Sequence, residues 1–413
     1  MKLFHLADLH LGKTIYGTSM LEDQRDWIDK FLTLCRKERP DAVVAAGDIY
    51  DRSAPSGEAV VLLDHMLTEL ADLQIPVFLI AGNHDSGQRL SFGHSLFSKQ
   101  NIHIAGTVRR ELEHVVFQNP DGYGPVVIWM LPYVFPEQVS MILEDDTVRT
   151  YDDAVRTLIS LQNIDPAARN VIVSHQNVTA DGKEVQRGGS ETMVGGLGQI
   201  DYSVFDLFDY VALGHIHSAY PVGRAQVRYA GTPLCYHFAE TRQKDKGVTE
   251  VILPAKGENL QIRQIPIEPL HRMRCYEGTK EEVYAQLQKE TGRNEYVGIT
   301  LTDQRITPEI SAYISGLLET RDCLKMELVS SYSAFSGSAS AADREKVQEM
   351  PLEDLFAAFY EELRGGTPPD EAEYELLQYI GELTRHADLS EPVRPEDLQK
   401  ILERAGKIGG ERS

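Results

Sequence analysis

Positive charge is what this sequence is short of: 41 Lys and Arg against 63 Asp and Glu in 413 residues leave a formal charge of −22. A protein that grips nucleic-acid phosphates unaided carries a basic footprint, and this chain has none. A polyanionic substrate would have to be met with the help of bound cations or of a partner protein. Net charge speaks to solubility and association, not to fold. Cysteine is scarce as well. Cys35, Cys235, Cys275 and Cys323 lie far apart and form no CxxC pair, which argues against a zinc ribbon or disulfide framework and for a reducing compartment. No apolar run approaches the roughly 20 residues that span a bilayer, so the expected location is the cytoplasm, with no membrane partner. A chain of this length predicts two or three domains, one of them able to bury a substantial core.

What is present is a set of five short blocks, each placing a metal-binding or proton-handling side chain where a strand should end. They are Asp8-Leu9-His10, Gly47-Asp48-Ile49-Tyr50-Asp51, Gly82-Asn83-His84-Asp85, Ser174-His175 and Gly214-His215-Ile216-His217. The apolar runs Lys2–Ala7, Ala42–Ala46, Val77–Ala81, Val171–Val173 and Tyr210–Leu213 precede them. Such runs read as buried parallel strands, and ligands collect at the carboxyl ends of strands in open α/β sheets. The blocks are therefore expected to converge on one edge of a sheet. Asp, His and Asn together suit Mn²⁺, Mg²⁺, Fe²⁺ or Zn²⁺, and the pattern predicts a two-metal phosphoesterase. Because the chain runs from Met1 straight into Asp8, no cleavable signal peptide is expected.

Residues 1–265 alternate strand-like runs with amphipathic helices and then turn β-rich. Helices are predicted over Leu21–Arg39, with Trp27, Phe31, Leu34 and Cys35 on one face, and over Glu58–Leu73, with Val61, Leu62, His65, Met66 and Leu70 together. A parallel start followed by antiparallel pieces predicts two sheets flanked by helices. Asp181–Gly198 has no period and reads as a long functional loop beside His175. Residues 266–332 read as a small α/β domain in which Thr279-Lys280-Glu281-Glu282 is a capping box. Residues 333–350, rich in Ser, Ala and Gly near their start, read as a linker. In 351–413, Leu352, Leu355, Phe356, Phe359 and Leu363 form an apolar helical stripe. That stripe either closes a tiny bundle or docks on a partner helix.

Asp48 is the natural carboxylate to touch two cations, with Gly47 before it allowing close approach. Asp8 and His10, read as alternating strand positions, clasp one ion. Asn83, His175, His215 and His217 supply the other ligand atoms. His84 follows a ligand without needing to be one; protonating a leaving oxygen or steadying transition-state charge would suit it. Asp51 and Asp85 read either as groups that orient imidazoles or as plain turn and cap residues. Lys13 and Arg89 are candidate DNA contacts or solvated charges. The other histidines, His5, His65, His94, His103, His114, His237, His271 and His386, read as ordinary.

The set DxH, GDxxD, GNHD, strand-ending His and GHxH resembles the calcineurin-like metallophosphoesterases. The strings LADLHLGK, AAGDIYDRSAPS, IAGNHDSGQRL, GHIHS and YAGTPL narrow the resemblance to the SbcD family of nuclease subunits in bacterial DNA repair. The resemblance implies a four-layer sandwich, two β-sheets flanked by helices, with a small α/β capping domain and a C-terminal helical tail. It implies one ion, Mn²⁺ with Mg²⁺ the alternative, on Asp8, His10, Asp48 and His217, and a second on Asp48, Asn83, His175 and His215. His84 would be catalytic. It further implies double-strand exonuclease and single-strand or hairpin endonuclease activity on DNA ends. The tail, through Leu355, Phe356, Phe359 and Leu363, would hold an SbcC-like coiled-coil ATPase. The nuclease subunit would be a homodimer, associated with the nucleoid. The alternatives are a small-substrate phosphomonoesterase or cyclic-nucleotide phosphodiesterase, and a non-catalytic DNA-end scaffold. Asp51-Arg52-Ser53 and His84-Asp85 depart from the GDxxDRG and GNHE of the protein phosphatases.

Overall fold

The apolar runs become strands because their aliphatic residues are covered on both faces. Lys2–Leu6, Ala42–Ala46, Val77–Ile80 and Ile102–Ala105 lie parallel, and antiparallel Gly247–Ile252 and Gln261–Pro266 complete a six-stranded sheet. A second six-stranded sheet centres on parallel Val126–Leu131, Arg169–His175, Tyr210–Gly214 and Arg224–Tyr229, with antiparallel Glu113–Phe117 and Pro221–Val222 at its edges. The expectation that the later strands are antiparallel holds only at those edges and for the Gly247 and Gln261 strands. This computed structural model describes residues 1–331 apart from 119–120, 181–197, 244–245, 290–291 and 320, together with 373, 374 and 376.

The sheets pack face to face through Leu3, Val44, Phe78, Ile128, Val171 and Ala212. Helices Leu21–Glu38 and Gly57–Asp72 cover the outer face of the first sheet through Trp27, Phe31, Leu62 and Met66. Helices Pro136–Leu143 and Tyr151–Ser160 cover the second through Val139, Ala154 and Leu158. Each fully buried side chain of this size contributes about 1.5–3 kcal/mol, and the result is the four-layer sandwich. Val61 departs from the expected helix face: it is 59% exposed, because it sits about 100° around the helix from buried Leu62.

Residues 1–332 form one unit and 333–413 another. Within the first, Met273–Gly278, Tyr296–Leu301 and Lys325–Ser330 make a parallel three-stranded sheet with helices Lys280–Lys289 and Pro308–Glu319 packed on it. The capping box is present: Glu282 N–H donates to Thr279 Oγ1 (3.3 Å) and Thr279 N–H to Glu282 Oε2 (2.9 Å). Residues 181–197 of the expected loop, the linker 333–350, and Leu352, Leu355, Phe356, Phe359 and Leu363 lie outside the described residues.

Candidate metal centre

The five blocks meet at one end of the sandwich, but not on one sheet edge as expected. Asp8, Asp48 and Asn83 follow strands of the first sheet, while His175 and His215 come from the second. Nor do Asp8 and His10 alternate along a strand. The strand stops at Leu6, and Asp8 (φ 53°), His10 (φ 44°), Asp48 (φ 47°) and His215 (φ 100°) all have left-handed backbone. Such a conformation costs on the order of 1–3 kcal/mol per residue and persists where surroundings over-determine it. Here Asp8 N–H donates to Gly47 O (3.0 Å) and His10 N–H to Asp48 O (2.9 Å), tying the two loops together. Asp85 completes the clamp by accepting from the N–H groups of Ile49 (3.0 Å), Tyr50 (2.9 Å) and Gly82 (2.9 Å). It thus holds backbone, the reading that sequence placed beside imidazole orientation.

Asp48 stands in the middle. Its Oδ2 is 3.7 Å from His10 Nε2, 3.5 Å from His175 Nε2 and 3.9 Å from His84 Nε2. Two glycines make room for it. A Cβ at Gly82 would lie 2.2 Å from Asp48 Oδ1, and one at Gly47 (φ 80°) would lie 2.4 Å from His175 Nδ1. On one side, His10 Nε2 and His217 Nε2 face each other at 3.2 Å, and Asp8, His10 and His217 bring their ligand atoms within 4.8 Å of one another. On the other side, Asn83 Oδ1 lies 3.1 Å from His175 Nε2 and 3.0 Å from His215 Nδ1.

The imidazoles are held in metal-ready tautomers. His175 Nδ1 lies 2.7 Å from the Ala46 carbonyl, which can only accept, so Nδ1 carries the proton and Nε2 faces the centre. His84 Nδ1 likewise donates to the Asp51 carbonyl (3.0 Å) and leaves Nε2 toward Asp48, with the side chain 38% exposed. His217 Nδ1 is 3.0 Å from Glu240 Oε1. Burial opposes ionisation of Glu240, but the Lys246 ammonium at 2.8 Å, with His217, keeps its carboxyl below the usual range.

A divalent cation fits this donor set. Asp8 is fully buried, and burial pushes its carboxyl up to about 7. Asp48 is opposed by burial too, yet the charge and hydrogen bond of His175 hold it below the normal carboxylate range. Burial would lower His175, and the Asp48 charge overcomes this, raising it to about 9. Without a cation, Asp8 and Asp48 are buried acidic groups with imidazoles and backbone beside them. Buried charges of one sign call for ions as counter-charge.

Lys13 Nζ lies 2.7 Å from Asp51 Oδ1, so its charge is paired beside the centre. Arg89 is exposed in the turn Gly87–Leu90 and donates to the Ser53 carbonyl (2.9 Å). Three supporting residues escaped the sequence reading. Glu240 is 23 residues from the histidine it bonds. Gln24 donates to the His10 carbonyl (2.8 Å), and Tyr236 O–H donates to the Leu9 carbonyl (2.5 Å). None belongs to a local motif, so no spacing signal points to it.

Residues 1–219 match the family model described as Calcineurin-like phosphoesterase, and residues 269–363 one described as Type 5 capsule protein repressor C-terminal domain. A Staphylococcus epidermidis protein named as the D component of the nuclease SbcCD is 32% identical over 304 residues, 73% of this chain and 79% of that one. Its namesake in Staphylococcus saprophyticus subsp. saprophyticus is 30% identical over 283 residues, 68% of this chain and 73% of that one. With its motifs gathered around Asp48 and the family match covering more than half its length, the chain belongs to the calcineurin-like phosphoesterases, metal-dependent hydrolases of phosphate esters.

Proposed function

We propose that this chain is a DNA nuclease subunit that cleaves phosphodiester bonds at DNA ends and hairpins together with an SbcC-like coiled-coil ATPase. The observation that carries the reading is Asp48 standing between two sets of ligand atoms, Asp8/His10/His217 and Asn83/His175/His215. Asp48 would serve as a ligand to both of two divalent cations, and Mn²⁺ would suit the mixed imidazole and oxygen donors. When bound, the pair neutralises phosphate charge and supplies Lewis acidity. The chain's own residues do the rest. His84, held at Nδ1 by the Asp51 carbonyl with Nε2 toward Asp48, delivers a proton to the leaving oxygen as water takes its place on phosphorus. Asp51 keeps Lys13 beside His10, and Asp85 keeps the Asp48 and Asn83 loops in register. Arg89, with Lys13, meets the DNA backbone, and the cations add local positive charge to a chain of net charge −22.

Residues 1–265 are the nuclease domain in this reading, 266–332 the cap, 333–350 a linker and 351–413 the partner-docking region. The location is cytoplasmic and nucleoid-associated. A homodimer is part of the proposal. Val60 and Phe92, 44% and 84% exposed, line one surface depression, an apolar patch that a second copy would cover.

The function is tested by incubating the full chain and Mn²⁺ with labelled duplex, hairpin and single-stranded DNA and, separately, with a chromogenic phosphomonoester. Cleavage of the monoester alone overturns the nuclease reading. Truncation after about residue 340 is expected to spare metal-dependent cutting of single-stranded DNA. It should abolish association with the ATPase and ATP-stimulated duplex digestion. Co-purification of the truncated chain with the ATPase would place the docking surface elsewhere.

A further inference from the structure

Two of the contacts between the cap and the nuclease domain lead to the same half of the metal centre. The first is Asp23, buried in the opening turn of helix Leu21–Glu38. Its carboxylate accepts from His271 N–H (3.1 Å) and Tyr296 O–H (3.1 Å), and lies 3.1 Å from His271 Nδ1. Tyr296 begins the central cap strand, and His271 lies just before the first. The next residue along the helix is Gln24, whose Nε2 donates to the carbonyls of His10 (2.8 Å) and Leu9 (3.3 Å) and whose Oε1 accepts from Gly12 N–H (2.9 Å). Asp23 therefore binds the cap while its neighbour holds the loop that presents His10.

The second place is Phe238. Its ring stacks on Tyr16 at 5.1 Å, and it presses on cap residue Gly298 so closely that a Cβ there would lie 2.5 Å from Phe238 Cγ. Phe238 opens the short 3₁₀ turn Phe238–Arg242, which also contains Glu240. Glu240 orients His217 from 3.0 Å and accepts from Tyr236 N–H (3.2 Å) and Thr232 O–H (3.1 Å). Tyr236 closes the circuit, its hydroxyl meeting Gln24 Nε2 (3.1 Å) and the Leu9 carbonyl, its ring 5.8 Å from that of His10.

The other half is supported by the sandwich itself, His175 by the Ala46 carbonyl and Asn83 by the Gly82 loop that Asp85 pins to Ile49 and Tyr50. We propose that the cap sets the affinity of the His10/His217 metal position through Asp23–Gln24 and Phe238–Glu240, and leaves the Asn83/His175/His215 position untouched. Asp23, Gln24, Phe238 and Glu240 are positioning residues on this view, and the nuclease would be switched by loading one ion of its pair. The inference rests on the two-metal reading proposed above but not on the identity of the substrate.

The test titrates Mn²⁺ alone into metal-free full-length chain by calorimetry and follows the electron paramagnetic resonance of the exchange-coupled pair. Two cap-side variants are used. Tyr296→Phe with His271→Ala removes the side-chain cap donors to Asp23, and Gly298→Ala pushes a methyl group onto Phe238 without deleting any hydrogen-bonding group. Each should weaken one site about 10–100-fold, the usual cost of disturbing a ligand's orienting partner, and lose the coupled signal at limiting Mn²⁺. The second site should keep its wild-type affinity. Glu240→Gln should reproduce the pattern from the nuclease side. Two unchanged sites, or two sites weakened alike, overturn the proposal. If the double variant does not fold, judged by thermal unfolding, Gly298→Ala decides. A wild-type chain that takes up fewer than two ions overturns the metal-centre reading and the tether with it, whereas two ions without DNA cleavage removes only the substrate.

Discussion

The two halves of the metal centre are supported by different kinds of bond. Around His175 the support is backbone: the Ala46 carbonyl fixes the ring, and Gly47 leaves it space. Around His10 and His217 the backbone bond from His10 N–H to the Asp48 carbonyl is joined by a relay of side chains, Gln24, Tyr236, Glu240 and Lys246, drawn from separate stretches of the chain. A strand end is rigid because the whole ladder would have to move with it. A relay of side chains responds to whatever touches its outer members, and here the cap does. Rigid support suits an ion that must stay, and adjustable support suits one that is loaded or released.

Asp48→Ala is the change with the largest expected effect, because it strips both halves of their shared carboxylate. Activity should vanish, and elemental analysis should show more than one ion lost; two ions retained with full turnover would sink the bridging role. His84→Gln comes next and should touch neither half. Metal content should stay near wild type while turnover falls about 10²–10⁴-fold. Metal loss on the scale of Asp48→Ala would make His84 a ligand.

Chelation is expected to act on the whole fold. Ions present at 100 times their dissociation constant stabilise by about 2.7 kcal/mol, and Asp8 and Asp48 are left buried without them. The thermal midpoint should fall by several degrees on adding EDTA and recover with Mn²⁺; an unchanged midpoint would mean that the buried carboxylates need no cation. The smallest effect is expected from Lys13→Ala with Arg89→Ala. Each charge lies outside both halves, so metal affinity should hold while DNA binding weakens and its salt slope becomes shallower by about one to two. An identical slope would leave Arg89 a solvated charge.

Much of the fold and most of the centre were legible in the sequence. Runs such as Ala42–Ala46 and Val77–Ile80 have to be strands buried on both faces, and a ligand residue placed just after each has to sit at the carboxyl end. Gly47 announces close approach, and only hydrogen fits there because His175 stands against it. The exposure of Val61 was missed because one helical step separates it from a buried leucine, too fine a distinction for periodicity.

The sequence by itself determined the chemistry: which side chains can bind cations, that they follow strands, and that a small α/β module comes after them. Only the tertiary structure decided how they are held. Two sheets rather than one deliver the ligands, because face-to-face packing of two parallel sets brings their strand ends together. Asp8, His10, Asp48 and His215 take left-handed backbone that is uncommon outside glycine even for Asp and His, and contacts between loops far apart in sequence, such as His10 N–H on the Asp48 carbonyl, hold them there. Glu240 reaches His217, and Asp23 reaches Tyr296, through bonds that exist only after the chain has closed on itself. Local patterns encode periodicity and ligand type, whereas support that comes from distant side chains leaves no periodic trace to read.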